Sequence, residues 1–172
     1  MHCSHFIAEK CSKAKVLLPA LVEVAATDLQ VVASLLCICG SYCKLVHQAT
    51  RTTPPSHTIE SLQIFDEEVR RCFSTCIAVD IPDGHWQRAQ LSLSFGGLGF
   101  PSLSYHSCAA FISSLCSSGF GSANNRHLLS AISKFNSLVS PTDAITVESI
   151  LSSPTSQQAL SKKLDSHLCH SV

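Results

Sequence analysis

Two metal ions held a few ångström apart by fixed carboxylates are what a polymerase or a nuclease requires, and two acidic groups in this chain invite that reading. Asp66, Glu67 and Glu68 are consecutive. On a helix, successive side chains point about 100° apart, so the three cannot converge on one ion and read instead as a solvated face. Asp80 and Asp83 flank Ile81-Pro82 and read as a turn residue and a helix cap. Ten cysteines and nine histidines are available, yet no local signature pairs one of each as nucleophile and base. Cys37, Cys39 and Cys43, with Cys72 and Cys76, fall inside apolar helical runs without a Cys-x-x-Cys knuckle. They read as buried structural thiols rather than zinc ligands. His2, Cys3, His5, Cys169 and His170 lie at termini that are expected to fray. The run Gly96-Gly97-Leu98-Gly99 lacks the Lys-Ser/Thr of a phosphate loop and the spacing of a dinucleotide fingerprint. Gly96, Gly97, Gly99 and Pro101 therefore read as a structural corner, since glycine permits positive φ and close backbone approach and proline forbids smooth continuation. No catalytic residue, metal ligand or cofactor is expected from these residues.

The elements that would carry these residues are helical. A chain of 172 residues with 45% apolar content can bury one core, and its apolar spacing predicts an all-α fold, an irregular multi-helix bundle with a Gly-rich turn near residues 95–101. Ile7, Cys11, Ala14, Leu18 and Leu21 share one face of a first helix, with Pro19 as a kink or break. Thr27 and Gln30 form a capping-box pattern for a second helix that Gly40 would stop. Tyr42, Leu45, Val46 and Ala49 predict a third. After Pro54-Pro55, Leu62, Phe65, Val69, Cys72, Phe73 and Cys76 recur at helical spacing, with Asp66, Glu67, Glu68, Arg70 and Arg71 on the exposed side. Asp83 is expected to cap a short helix containing Trp86, and Ser102 one carrying Ala109, Ile112 and Leu115. Asn125, Ser140 before Pro141, and Thr155 with Gln158 predict three more short helices.

Composition shifts at Trp86. Seven serines precede it and twenty-one follow, and no Asp, Glu, Lys or Arg occurs from Ala89 through Asn125. Helices of such a segment are expected either to pack deeply or to cover something outside the chain. Lys10, Lys13 and Lys15 interrupt the first apolar segment, which disqualifies it as a signal sequence, and the longest charge-free apolar run near it, residues 29–43, is too short to span a bilayer. With no Asn-X-Ser/Thr sequon and no disulfide-like cysteine pattern, an intracellular chain, in cytoplasm or nucleus, is expected, with no membrane partner. Twelve Lys plus Arg balance twelve Asp plus Glu, so any phosphate contact must be local.

One ordered series of residues resembles a known family. It runs Tyr42, Leu45, Arg51-Thr52, Pro54-Pro55, Phe65-Asp66, Val69, Ile81-Pro82 and Trp86. It continues with Gln90-Leu91-Ser92-Leu93, Gly96-Gly97-Leu98-Gly99-Phe100, Ser102, Ala109-Ala110-Phe111 and Ser113-Ser114-Leu115. The series is similar to the region that follows the polymerase core in reverse transcriptases of non-LTR-type retrotransposons, over roughly residues 14 to 118. The resemblance implies a thumb-like helical region over 1–119, followed by a serine-rich helical extension over 120–172. In that family the thumb packs beside the palm and helps hold the template-primer duplex through backbone contacts. The palm's aromatic-Ala-Asp-Asp motif has no counterpart here, so the resemblance implies a non-catalytic piece of an RNA-directed DNA polymerase. Its duplex-facing residues would be Lys44, Arg51, Arg70 and Arg71. Its partners would be the template-primer duplex and a polymerase palm packed against the uncharged 89–125 segment. A helical protein-interaction module without nucleic-acid binding is the alternative.

Overall fold

The computed structural model describes residues 2–40, 50–153 and 155–171, with the side chains of 2–4 and 39–40 left aside, and among them it is all-helical, without a strand. Helix α1 (His2–Lys15) and helix α2 (Leu18–Ala25) form where the sequence predicts a single interrupted helix. The break falls at Val16-Leu17, so that Pro19 occupies the first turn of α2, where its missing N–H leaves no hydrogen bond unmade. Ile7, Cys11, Ala14 and Leu18 are all buried on one side. Helix α3 (Leu29–Leu35) is capped by Asp28 and not by Thr27. The Asp28 carboxylate accepts from the amides of Gln30 and Val31 at 2.9 and 3.0 Å, while the Thr27 hydroxyl turns back to the Val24 carbonyl at 2.8 Å. A π-helical turn, Leu36–Gly40, follows. The helix predicted from Tyr42, Leu45, Val46 and Ala49 lies outside the described residues, apart from helical Thr50, Arg51 and Thr52 at its end.

Helix α4 (Ile59–Ile77) is the longest described and buries Leu62, Phe65, Val69, Cys72 and Phe73. It ends at Ala78, which has φ 53° and closes the helix in the left-handed region. Helix α5 (Asp83–Gln90) begins after Pro82, so that Pro82 and not Asp83 occupies the cap position and no side-chain cap forms; the Asp83 carboxylate, in the first turn, pairs with Arg70 at 2.7 Å. Helix α6 (Leu103–Ser117) and helix α7 (Arg126–Asn136) carry the predicted caps: Ser102 accepts from the Tyr105 amide, and Asn125 from those of His127 and Leu128. Ser140 opens only a 3₁₀ turn, Pro141–Asp143. The next helix, α8 (Val147–Ser152), starts instead from a reciprocal Thr146–Ser149 capping box. Helix α9 (Gln157–Ser171) receives its side-chain cap from Ser156, whose hydroxyl accepts from the Ala159 amide at 3.2 Å, while Thr155 bonds back to Ser153.

The apolar side chains gather in two clusters. The first joins α1 to α5 around Leu62, Phe65, Phe73, Trp86 and Phe100. The second joins α6 to α9 around Ile112, Leu128, Phe135, Leu160 and Leu164, and so draws on residues both before and after position 120. Helix α6 packs on α4 as well as on α7 and α9, which connects the two. The lack of charge along it follows from this double packing: Ser107 through Ser113 are all buried. No helix among the described residues is long and apolar enough to cross a membrane.

Candidate nucleic-acid interface

The glycine corner holds its shape through backbone contact. A Cβ on Gly97 would lie 2.0 Å from the Leu91 carbonyl oxygen, and Gly96 and Gly99 have φ of 77° and 76°. The strand of chain after the corner folds back on the end of α5. There the amides of Leu98 and Phe100 both donate to the Ala89 carbonyl, and that of Gly99 to Leu91. The product of this reversal is the placement of Phe100. Its ring centroid lies 4.7 Å from that of Phe73 and 5.7 Å from that of Trp86, a compact trio at aromatic-pair distances. Pro101 then leads straight to Ser102 and α6.

Asp66 is the clearest departure from the solvated face predicted for it. Its carboxylate accepts four hydrogen bonds at the start of α6, from the hydroxyls of Ser102 and Ser104 at 2.7 Å each and from the amides of Leu103 and Ser104 at 2.9 and 3.0 Å. Those two amides are among the orphan donors of a helix N-terminus, where a negative charge is also favoured by the helix dipole. Asp66 thus caps α6 from α4. Burial pushes its carboxyl pKa up, while the four hydrogen bonds pull it down. Glu67 and Arg71 do face solvent as predicted.

The cations named from the sequence are differently placed. Lys44 lies outside the described residues. Arg70 is largely occupied: it pairs with Asp83 at 2.7 Å, approaches Glu67 at 3.8 Å and donates to the Ile81 carbonyl. Arg71 is exposed but pairs with Glu68 at 3.0 Å, and Glu68 also meets Lys15 at 3.5 Å. Arg51 alone of the described three borders a substantial cleft, one of about 740 Å³ between the glycine corner, the start of α6 and α9. Its Nε and Nη2 donate to Gln157 Oε1 at 3.1 and 2.9 Å, a contact that ties the chain just before α4 to the start of α9.

Helix α9 contributes Gln157, Gln158, Ser161, Lys162 and Asp165 to the cleft, a spacing that puts them on one helical face. Leu160 and Leu164 of the same helix are fully buried. The sequence carried this polar stripe, beside an apolar one, but the stripe points to a cleft only once α9 is known to lie against the corner. Deeper in, His106 Nε2 lies 3.4 Å from Asp165 Oδ1, with the two side chains 14% and 11% exposed. This pair resembles two members of a hydrolytic triad, but His106 Nδ1 is buried without a partner among the described residues. Among the described residues no hydroxyl or thiol is hydrogen-bonded to the ring, where such chemistry would need a nucleophile. Cys37, which also borders the cleft, has its thiol turned to the Leu98 carbonyl at 3.3 Å, and burial raises its pKa. Comparison with protein-family models, curated proteins and solved structures finds no match.

Proposed function

We propose that this chain is a non-catalytic, thumb-like helical segment of the kind that follows the polymerase core in non-LTR-type retrotransposon reverse transcriptases, and that it touches a nucleic-acid duplex through phosphate contacts. The observation that carries the reading is the ordered series from Arg51 to Leu115. Its members are the residues on which the packing depends: Asp66 caps α6, Trp86 and Phe100 stack, Gly97 abuts Leu91, and Ala109 and Ala110 are buried where α6 meets its neighbours. A likeness made of fold-determining residues supports a shared fold more than a shared chemistry.

The acidic residues support the non-catalytic part of the reading. Asp66 is committed to α6, Asp83 to Arg70 and Glu68 to Lys15 and Arg71, so none of these converges with another on a metal-sized space. Within a longer parent polymerase, a palm would meet the exposed apolar residues of the uncharged segment, Leu93, Leu98 and Phe120, and the setting would be the cytoplasm or nucleus. A specific observation favours the alternative of a helical protein-interaction module: Arg70 and Arg71 are each paired with a carboxylate, at 2.7 and 3.0 Å, which offsets the charge either would offer a phosphate. The two readings separate in a duplex-binding assay on the full chain with Arg51→Ala. Binding that weakens in the variant supports the thumb-like reading, and absence of any binding supports the interaction module.

A further inference from the structure

We infer that the cleft between the glycine corner and α9 is a binding site for a phosphate group, with Arg51 and Lys162 as its two cations. This deepens the reading above, on which it rests for the role of Arg51, and gives the C-terminal extension a part in the site.

Charge selects the ligand class. Arg51 and Lys162 both border the cleft, and Asp165 is the one carboxylate among its described walls. Asp165 is 8% exposed, with Oδ1 3.4 Å from His106 Nε2, so the described walls set two cations against one largely buried carboxylate. Lys162 has no hydrogen bond or ion pair among the described residues. A cleft with two cations and low-dielectric walls focuses a positive potential on whatever occupies it.

Geometry narrows the class to a multidentate oxyanion. Gln157 Oε1 takes the Nε and Nη2 edge of Arg51, which fixes the plane of the guanidinium and leaves Nη1 and one further Nη2 hydrogen to donate. That remaining edge matches two oxygens of a phosphate. Uncharged donors also line the cleft, Gln90 and Ser92 on the corner side and Ser161 on α9, of a kind that satisfies the other oxygens. A volume of about 740 Å³ falls within the range of small-molecule sites, roughly 300–1,000 Å³, and exceeds what phosphate alone fills. The phosphate could therefore belong to a nucleic-acid backbone or to a free phosphate ester.

The test is a titration of the full-length, ¹⁵N-labelled chain with inorganic phosphate, followed by NMR. Saturable shifts are expected at Arg51, Ser92, Gln157 and Ser161, with affinity falling about tenfold in Arg51→Gln and in Lys162→Gln and unchanged in Lys134→Gln, which sits on α7 away from the cleft. Arg51→Lys, which keeps the charge but loses the fork, is expected between wild type and Arg51→Gln. Lys162 is exposed, so its variant keeps the test valid if the Arg51 variants unfold. No saturable change at millimolar phosphate, or affinity unchanged in Lys162→Gln, overturns the proposal. A parallel titration with a duplex lacking terminal phosphates separates the sources. Duplex binding weakened by the same variants assigns the group to the backbone. Phosphate binding without duplex binding assigns it to a free ester, which removes the duplex reading and leaves the site. Duplex binding indifferent to both variants, with no binding of inorganic phosphate, removes the site and leaves the duplex reading.

Discussion

At Asp66 a carboxylate on one helix supplies the N-terminal hydrogen bonds of another, and removing it leaves the Leu103 and Ser104 amides without their acceptor. Asp66→Ala is expected to destabilise the fold by roughly 1–3 kcal/mol, the usual penalty for stranding buried polar groups, measured by denaturant unfolding. The pH dependence has a definite sign. Because burial raises the folded-state pKa above its ordinary 3.8, the native chain holds this proton where the unfolded chain has lost it. The contribution of Asp66 to stability therefore falls as pH rises from the ordinary carboxylate value through the raised one. Asp66→Asn is expected to remove that slope from the pH–stability curve. Helical period could not find this role, since a face is assigned by its apolar residues while the partners of Asp66 lie more than thirty residues downstream. Of the cysteines read as buried thiols, Cys72 is buried and Cys37 and Cys76 are half-buried, while Cys43 and the Cys39 side chain lie outside the described residues. Cys72 and Cys108 have their thiol pKa values pushed up to about 12 and about 11, chiefly by burial, so at pH 8 they are expected to resist a thiol reagent until the chain unfolds, while exposed Cys169 reacts at once. Mass mapping of the labelled positions with time reads this directly, and early labelling of Cys72 or Cys108 would contradict it.

Among the elements, the glycine corner and α5 make opposite demands of glycine. A methyl group on Gly97 would collide with Leu91 backbone, whereas one on Gly84 would meet nothing within 4 Å. Gly97→Ala is therefore expected to cost about 3 kcal/mol or more, because the clash is with main chain that cannot rotate away. Gly84→Ala, inside α5, is expected to stabilise by about 0.5–1 kcal/mol through the lower entropy of the unfolded chain. Thermal unfolding of the two variants side by side checks both signs. The period of apolar residues correctly predicts α4, α6 and the buried face shared by α1 and α2, since long amphipathic faces leave a strong pattern. Helix starts were harder where two capping residues are adjacent. Thr27 and Asp28, like Thr155 and Ser156, are both competent caps, and the choice falls to whichever backbone is extended just before the first turn: Asp28 has φ −152° and ψ 97°. Such a choice follows from how the preceding chain arrives, which no local spacing records.

Across the whole molecule, balanced charge conceals an uneven distribution of available cations. Arg70 and Arg71 are paired with carboxylates, while Arg51 and Lys162 both border the cleft. The sequence could name the basic residues but not their partners, because Asp83 reaches Arg70 only after the chain has turned from α4 into α5. The most direct measurement is the salt dependence of duplex binding by the full chain, followed by fluorescence anisotropy from low salt upward. With Arg51 and Lys162 each neutralising one phosphate, the logarithm of affinity is expected to fall with log salt at a slope of roughly −2 on B-DNA, with little sequence preference. Arg51→Ala is expected to weaken binding and flatten the slope by about one unit. Absence of binding at low salt, or a slope and affinity unchanged in Arg51→Ala, would contradict the account.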